Sequence, residues 1–425
     1  MPTNQITPMP PVAVGFGLPW DVPVTDAVAE LAAARASCGE TFVVDSGRDR
    51  YLFTFTPTGV ESFYALPEAQ ASKGVADYLM LRRKLPDEIF DGRRTLPGTL
   101  FRKGDVASYL ANLELALDVA IGELGDSGTV EVFSLTRRLG HRMGLASWAG
   151  PGAAHGETFE ALVEAFDALD GADSFVHPDA MRAVADAEHA VERAALAQIV
   201  ELLSDASPDE GHVLFDRITH GWADEPAEVR RTGIAHDVAL IHIASMSNLA
   251  SALGWAMVDL VANPAELARV RDGDQELAGR CALESVRLAQ RSIMARTVLS
   301  PVVFNDGVTT YEVGPGTTIA TLLPLTNRAH DLGHDTWDPG RWVRHRFTDT
   351  AGLGSPQLVT SFGHGKHSCP AQPFSIAAMT MTMTRLLSTF DLAAEWSSYP
   401  VPVPAQIGGV ARADGDCLMG YAKRA

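Results

Sequence analysis

The stretch VTSFGHGKHSCPAQPFSIAAM, Val359 to Met379, most constrains what this chain can become. It sets a cysteine between a glycine-rich turn carrying His364 and His367 and a run with the apolar content of a long helix. Gly363 and Gly365 permit a tight backbone, which delivers Cys369 to the start of that helix. A helix N-terminus and neighbouring amides favour the ionised thiol, so the sequence predicts a lowered Cys369 pKa and a ready iron ligand. Three roles compete: a buried structural cysteine, a zinc ligand, or the thiolate that holds a haem. Zinc fits poorly, because a closed site needs a fourth ligand and none is spaced for it beside His364, His367 and Cys369.

The remaining cysteines, Cys38, Cys281 and Cys417, are scattered without a CxxC pair, which argues against a disulfide framework and for a reducing, cytoplasmic compartment. The 425 residues, 46% hydrophobic and 20% charged, suffice for one large domain with a deep interior. A net charge of −19 repels phosphate backbones and anionic bilayers, so neither nucleic acid nor a membrane surface is an expected partner. The Pro- and Gly-rich lead, residues 1–20, has no run long enough for a signal or an anchor. Val238 to Ala262 has the length to span a bilayer, but its His242, Asn248, Asp259 and serines favour a buried helix.

Periodicity predicts a helix from Val24 to Gly39 with Thr25 as N-cap, a hairpin turning at 45–49, and a second helix over GVESFYAL. From about 107 to 295 strand signals almost vanish and a helical body is expected, with a central helix over 236–262. Short strands return after Thr297, turning at 305–307 and 314–316. The expected architecture is a single domain over 1–425, mainly α with a small β region. Strands and the cysteine loop fill 296–425.

Phe362, Gly365 and Cys369 in FGHGKHSC follow the spacing Phe, two, Gly, three, Cys. This segment resembles the cysteine loop of cytochrome P450; Ala371 departs mildly from the family's closing glycine. Glu284 and Arg287 are similar to the family's Glu, two, Arg pair, and Arg341 in TWDPGRW to the arginine that completes its ion-pair network. The order of these motifs carries the specificity. The resemblance implies the cytochrome P450 fold and haem b with Cys369 as axial ligand. It implies cofactor contacts from Phe362, Gly363, Gly365 and Ala371, and a hold on the propionates by Arg296 and His367. For the second propionate Arg93, Arg94, Arg102 and Lys103 all remain candidates.

The central helix departs from the family. Where an acid and a threonine usually relay protons, ASMSN places Ala244, Ser245, Ser247 and Asn248. At helical spacing Ala244, Ser247, Asn248 and Ser251 form a small polar face. An asparagine amide orients water but is no proton source near neutrality. Pro370 lacks the N–H that could donate to the thiolate, unless the turn aims other amides there.

These readings favour a soluble bacterial-type monooxygenase that hydroxylates or oxidatively modifies a small organic molecule in specialised metabolism. Ferredoxin and ferredoxin reductase would supply electrons, since no dinucleotide fingerprint occurs in the chain. A peroxide-using isomerase, dehydratase or peroxygenase is the second reading. A catalytically silent partner-activating homologue is the third.

Overall fold

The computed structural model describes residues 9–424 except 46, 48, 93–101, 171–187 and 205–212. Helix α1 (Ala27–Cys38) starts one residue later than expected. Its N-cap is Asp26, not Thr25: the Asp26 carboxylate accepts the Val28 and Ala29 amides at 3.0 Å each. Gly39 stops the helix at φ 94°. The hairpin β1 (Thr41–Asp45) and β2 (Arg50–Thr54) follows, then α2 (Pro57–Ala65), β3 (Ala71–Ser72) and α3 (Lys73–Leu81).

Helix α4 (Val106–Leu124) leads into β4 (Ser127–Glu131), a strand inside the span expected to be purely helical. It forms because β12 (Leu418–Lys423) pairs with it across nearly 300 positions, a partner that local pattern cannot reveal. Helices α5 (Val132–Trp148), α6 (Gly156–Asp170), α7 (Ala190–Leu202) and α8 (Val213–Gly221) precede the central helix α9 (Ala227–Ala262). That helix begins at Ala227 rather than 236, because Pro226 sits where a missing N–H costs nothing. Between Val238 and Leu260 it is apolar on nearly all sides, as a helix at the centre of a bundle must be. It packs against α5 and α11 (Gln275–Ala289), the latter following α10 (Pro264–Arg271).

The C-terminal third supplies β5 (Ile293–Val298), the β6 (Val302–Asn305) and β7 (Thr310–Val313) hairpin, and β8 (Thr317–Leu322). Strands β5 and β8 join the N-terminal hairpin in one sheet of order β1-β2-β8-β5-β3. Then come α12 (Leu323–Asn327), the β9 (Trp342–Val343) and β10 (Arg346–Phe347) pair, α13 (Gln372–Thr389), and β11 (Phe390–Ala394) beside β12. The main apolar core joins α4, α5, α6, α9, α11 and α13, while two smaller clusters line the sheet. The cysteine turn therefore lies where the bundle meets the sheet.

Candidate functional site

The cysteine turn is bolted to α11 by side chains that satisfy its backbone. Asn327 accepts the Thr360 amide at 2.9 Å and donates to the carbonyls of Thr360 and Arg287 at 2.9 and 3.1 Å. Ser361 donates to the Leu283 carbonyl at 2.8 Å, and Gln290 to the Ser361 carbonyl at 3.0 Å. The Cys369 amide closes the loop on the Phe362 carbonyl at 2.8 Å. Gly363 sits at φ 79°, and a Cβ there would lie 2.3 Å from the His367 carbonyl oxygen. Only glycine fits that position.

Behind the turn lies the predicted ion-pair network. Glu284 and Arg287 are fully buried and joined by bonds of 2.8 and 2.7 Å. Arg341, Trp342 and the Asp338 amide complete the Glu284 carboxylate at 3.0, 2.9 and 3.0 Å. Arg287 further donates to the carbonyls of His334, at 2.6 Å, and Asn327. A buried pair is tolerable only when its remaining donors and acceptors are met, as here. Asn327 belongs to this assembly and was not anticipated; nothing local in LPLTNRAH marks it.

Cys369 departs from the sequence expectation. Its thiol is pushed above its ordinary pKa because burial outweighs the Ala371 and Gln372 amides and Lys73, which all pull it down. The amides aimed at it come from Ala371 and Gln372, so the absent N–H of Pro370 removes no donor. Cys281 and Cys417 are fully buried and pushed up to about 12, which leaves them inert packing residues.

A cationic cradle flanks the turn. Arg296, fully buried on β5 between β8 and β3, donates to the Ala71 carbonyl at 2.8 Å and to Glu68 at 3.0 Å. It is an interior residue of the sheet, not an edge arginine. His367 is 4% exposed, packed on Phe63 and Tyr64 at ring distances of 5.0 and 5.4 Å, and neither ring nitrogen has a partner among the described residues. The Tyr64 hydroxyl is likewise buried without a partner there. Burial, then Arg296 and Lys73, lowers the His367 pKa to about 4. Positive charge beside unsatisfied donors marks a place that calls for an anionic ligand.

Lys73, the first residue of α3, thus joins Arg296 and His367, although sequence reasoning proposed other residues. Its only signal is position, immediately after the short strand Ala71–Ser72. Of those other candidates, Arg93, Arg94 and the Lys103 side chain lie outside the described residues, and Arg102 is exposed ahead of α4.

On α9 the expected polar face splits. Ala244 and Asn248 are exposed in mid-helix among buried neighbours, with Ser245, Ser247 and Ser251 partly so. Asn248 accepts the Val410 amide through its side-chain carbonyl at 2.9 Å, and Gly409 at φ 62° makes room, since a Cβ there would be 2.2 Å from that oxygen. Ser247 turns away and donates to Asp170 at the end of α6. This is an exposed small-residue face on a largely buried helix. His242 serves the core: Trp148 donates to its Nδ1 at 3.1 Å, and it shares a 2.8 Å bond with His141.

The architecture has close relatives among solved structures. CYP175A1 of Thermus thermophilus superposes with a TM-score of 0.66 over 94% of this chain and 95% of its own, at 19% identity. A mutant haem domain of cytochrome P450DA gives 0.71 over 99% and 97%, at 17% identity. The cytochrome P450 family model also matches residues 211–412. This chain has the cytochrome P450 fold. Among curated relatives, geranylhydroquinone 3''-hydroxylase of Arnebia euchroma is 25% identical over 40% of this chain and 37% of its own length. Sterol 14-demethylase of Arabidopsis thaliana is 30% identical over 28% and 25%. The chain thus matches between a quarter and two fifths of these relatives' lengths.

Cytochromes P450 are haem-thiolate proteins, and the residues here suit that cofactor. A sulfur at a helix start and orphaned donors among cations for two carboxylates are what an iron-bound macrocycle with propionates requires.

Proposed function

We propose that the chain is a haem-thiolate monooxygenase that hydroxylates or otherwise oxidises a small organic molecule in specialised metabolism, in the cytoplasm. Ferredoxin and its reductase would be the electron source. The observation that carries this reading is the Cys369 turn, with the Ala371 and Gln372 amides aimed at the sulfur, beside Arg296 and a buried His367 whose ring nitrogens have no partner among the described residues. Cys369 would be the axial ligand, Arg296, Lys73 and His367 would hold the propionates, and Phe362, Gly363, Gly365 and Ala371 would border the macrocycle. The bound haem supplies the redox chemistry that activates dioxygen.

What the chain's own residues contribute is positioning and proton handling. The Asn248 carbonyl is occupied by the Val410 amide, which leaves its NH2 to orient a water over the open face. Ala244 keeps that face low, so that a flat group can lie against α9. Glu284, Arg287, Arg341 and Asn327 hold the turn that presents the sulfur.

The reduced protein exposed to carbon monoxide should show a strongly red-shifted Soret band, and ferredoxin-derived electrons should then support turnover. A second reading, a peroxide-using isomerase, dehydratase or peroxygenase, is favoured by the pinned Asn248 and the absence of an acid between Ala244 and Ser251. It predicts the same band with turnover from peroxide alone. No thiolate band at all would point to the third reading, a silent partner-activating homologue, against which the presence of Cys369 counts.

A further inference from the structure

Resting on the monooxygenase reading, we infer that Asp170 of α6, bonded to the Ser247 hydroxyl, supplies from a different helix the acid function that α9 lacks beside Asn248. The nearest acids on α9 itself are Asp237 and Asp259, each at least ten residues from Ser247 and Asn248, or about 15 Å along the axis. Both are already engaged, Asp237 by Trp222 at 2.8 Å and Asp259 by Tyr399. Asp170 is the described carboxylate that reaches this turn of α9.

Three other segments converge on it. Lys84, following α3, and Ser247 of α9 both donate to Asp170, and Arg137 of α5 stands 3.6 Å away. Burial works to raise the Asp170 pKa, but Lys84, Arg137 and the Ser247 hydroxyl hold it below the ordinary carboxylate value. Arg137 also bonds Asp167 at 2.5 Å, and Asp167, 43% exposed, accepts from the His141 ring at 2.9 Å. A small cavity lined by Arg137, His141, Asp170, His242 and Ser247, with room for about one water, lies among them. The arrangement runs from a half-exposed carboxylate to a hydroxyl one residue from the open face.

The step is proton transfer alone. The ionised Asp170 first takes a proton from solvent by way of the cavity water. The Ser247 hydroxyl then turns from Asp170 to a water on the Asn248 side; its O–H breaks as that proton passes to the water, and it reforms with the proton Asp170 has just gained, which returns Asp170 to its ionised state. The electrons consumed with the delivered proton come from the ferredoxin-type donor.

The test compares Ser247→Ala, Ser247→Thr and Asp170→Asn with the parent protein, each first checked for the carbon monoxide band and for its melting temperature. Ser247→Ala keeps the Lys84–Asp170 pair intact, so it remains informative even if Asp170→Asn, which takes the charged carboxylate from buried Lys84, fails to fold. Ser247→Ala should lower ferredoxin-driven turnover at least about tenfold more than peroxide-driven turnover and enlarge its solvent isotope effect, with Ser247→Thr restoring both. In haem-free protein carrying carbon-13 aspartate, Ser247→Ala should also shift one carboxylate infrared band. Equal losses with both oxidants, no loss, or an unmoved band would overturn the assignment while leaving the monooxygenase reading standing. A parent protein without the thiolate band would remove both.

Discussion

Glu284 and Arg287, three residues apart on α11, face each other through two hydrogen bonds with neither side chain exposed to solvent. Removing Glu284 leaves Arg287 as a buried charge without its carboxylate, and removing Arg287 leaves Glu284 with Arg341 as its remaining cation and takes the donor from the Asn327 and His334 carbonyls. Glu284→Ala or Arg287→Ala should cost roughly 3–5 kcal/mol, enough to abolish most soluble folded protein. Arg287→Lys keeps the charge but loses the planar fork, and should still lower the melting temperature markedly. Thermal unfolding followed by circular dichroism checks both.

Gly363→Ala should disable the cysteine turn itself. The added methyl meets a backbone oxygen rather than a flexible side chain, and φ is 79°, so strain and clash act together. The expected result is a folded bundle with at least about tenfold weaker haem retention. Haem titration of the purified apoprotein measures this.

His367→Ala and Arg296→Ala should each weaken haem binding, for a different reason. The first removes a ring N–H that stands buried without a partner among the described residues, and the second removes the charge beside it. A loss of about 1.5–3 kcal/mol, or roughly ten- to hundredfold in affinity, is expected from a charge-assisted bond. Transfer of haem to apomyoglobin gives the rate that tests it.

His242→Phe should destabilise the bundle without touching the cysteine turn. Phenylalanine fills the space against Phe166 but strands the Trp148 N–H and the facing His141 nitrogen. Each unmet group costs about 1–3 kcal/mol. A denaturant melt reads the loss, with the haem spectrum of the folded fraction unchanged.

Asp259 gives a pH dependence of defined sign. Burial first, against help from Ser285 and Tyr399, raises its pKa to about 7, so the folded state holds the proton that the unfolded chain releases near pH 4. Stability is therefore fullest below pH 4 as far as this group is concerned, falls as pH rises to about 7, and levels off above. The slope reaches at most about 1.4 kcal/mol per pH unit. Asp259→Asn should flatten the melting temperature over that window and raise it at pH 8.

The hairpin at 45–49, the cysteine turn and the Glu284–Arg287 pair were legible in the sequence because each depends on spacing within a dozen residues. Alternation, turn glycines and helical pitch act locally. The limits of that reading show at β4, which became a strand only because β12 arrives beside it. They show again at Cys369: helix position predicts a lowered pKa, yet burial by distant elements raises it.

The sequence by itself determined the order of the motifs, the single cysteine placed to meet a prosthetic group, and the lack of an acid at Ser247 and Asn248. Only the tertiary structure decided what surrounds them. It brought Asn327 to Thr360, Lys73 and Arg296 to His367, and Asp170 to Ser247 across 77 positions. Such contacts join residues whose own neighbourhoods carry no mark of their partners. They follow from how helices and sheet pack against one another, and packing is a property of the whole chain.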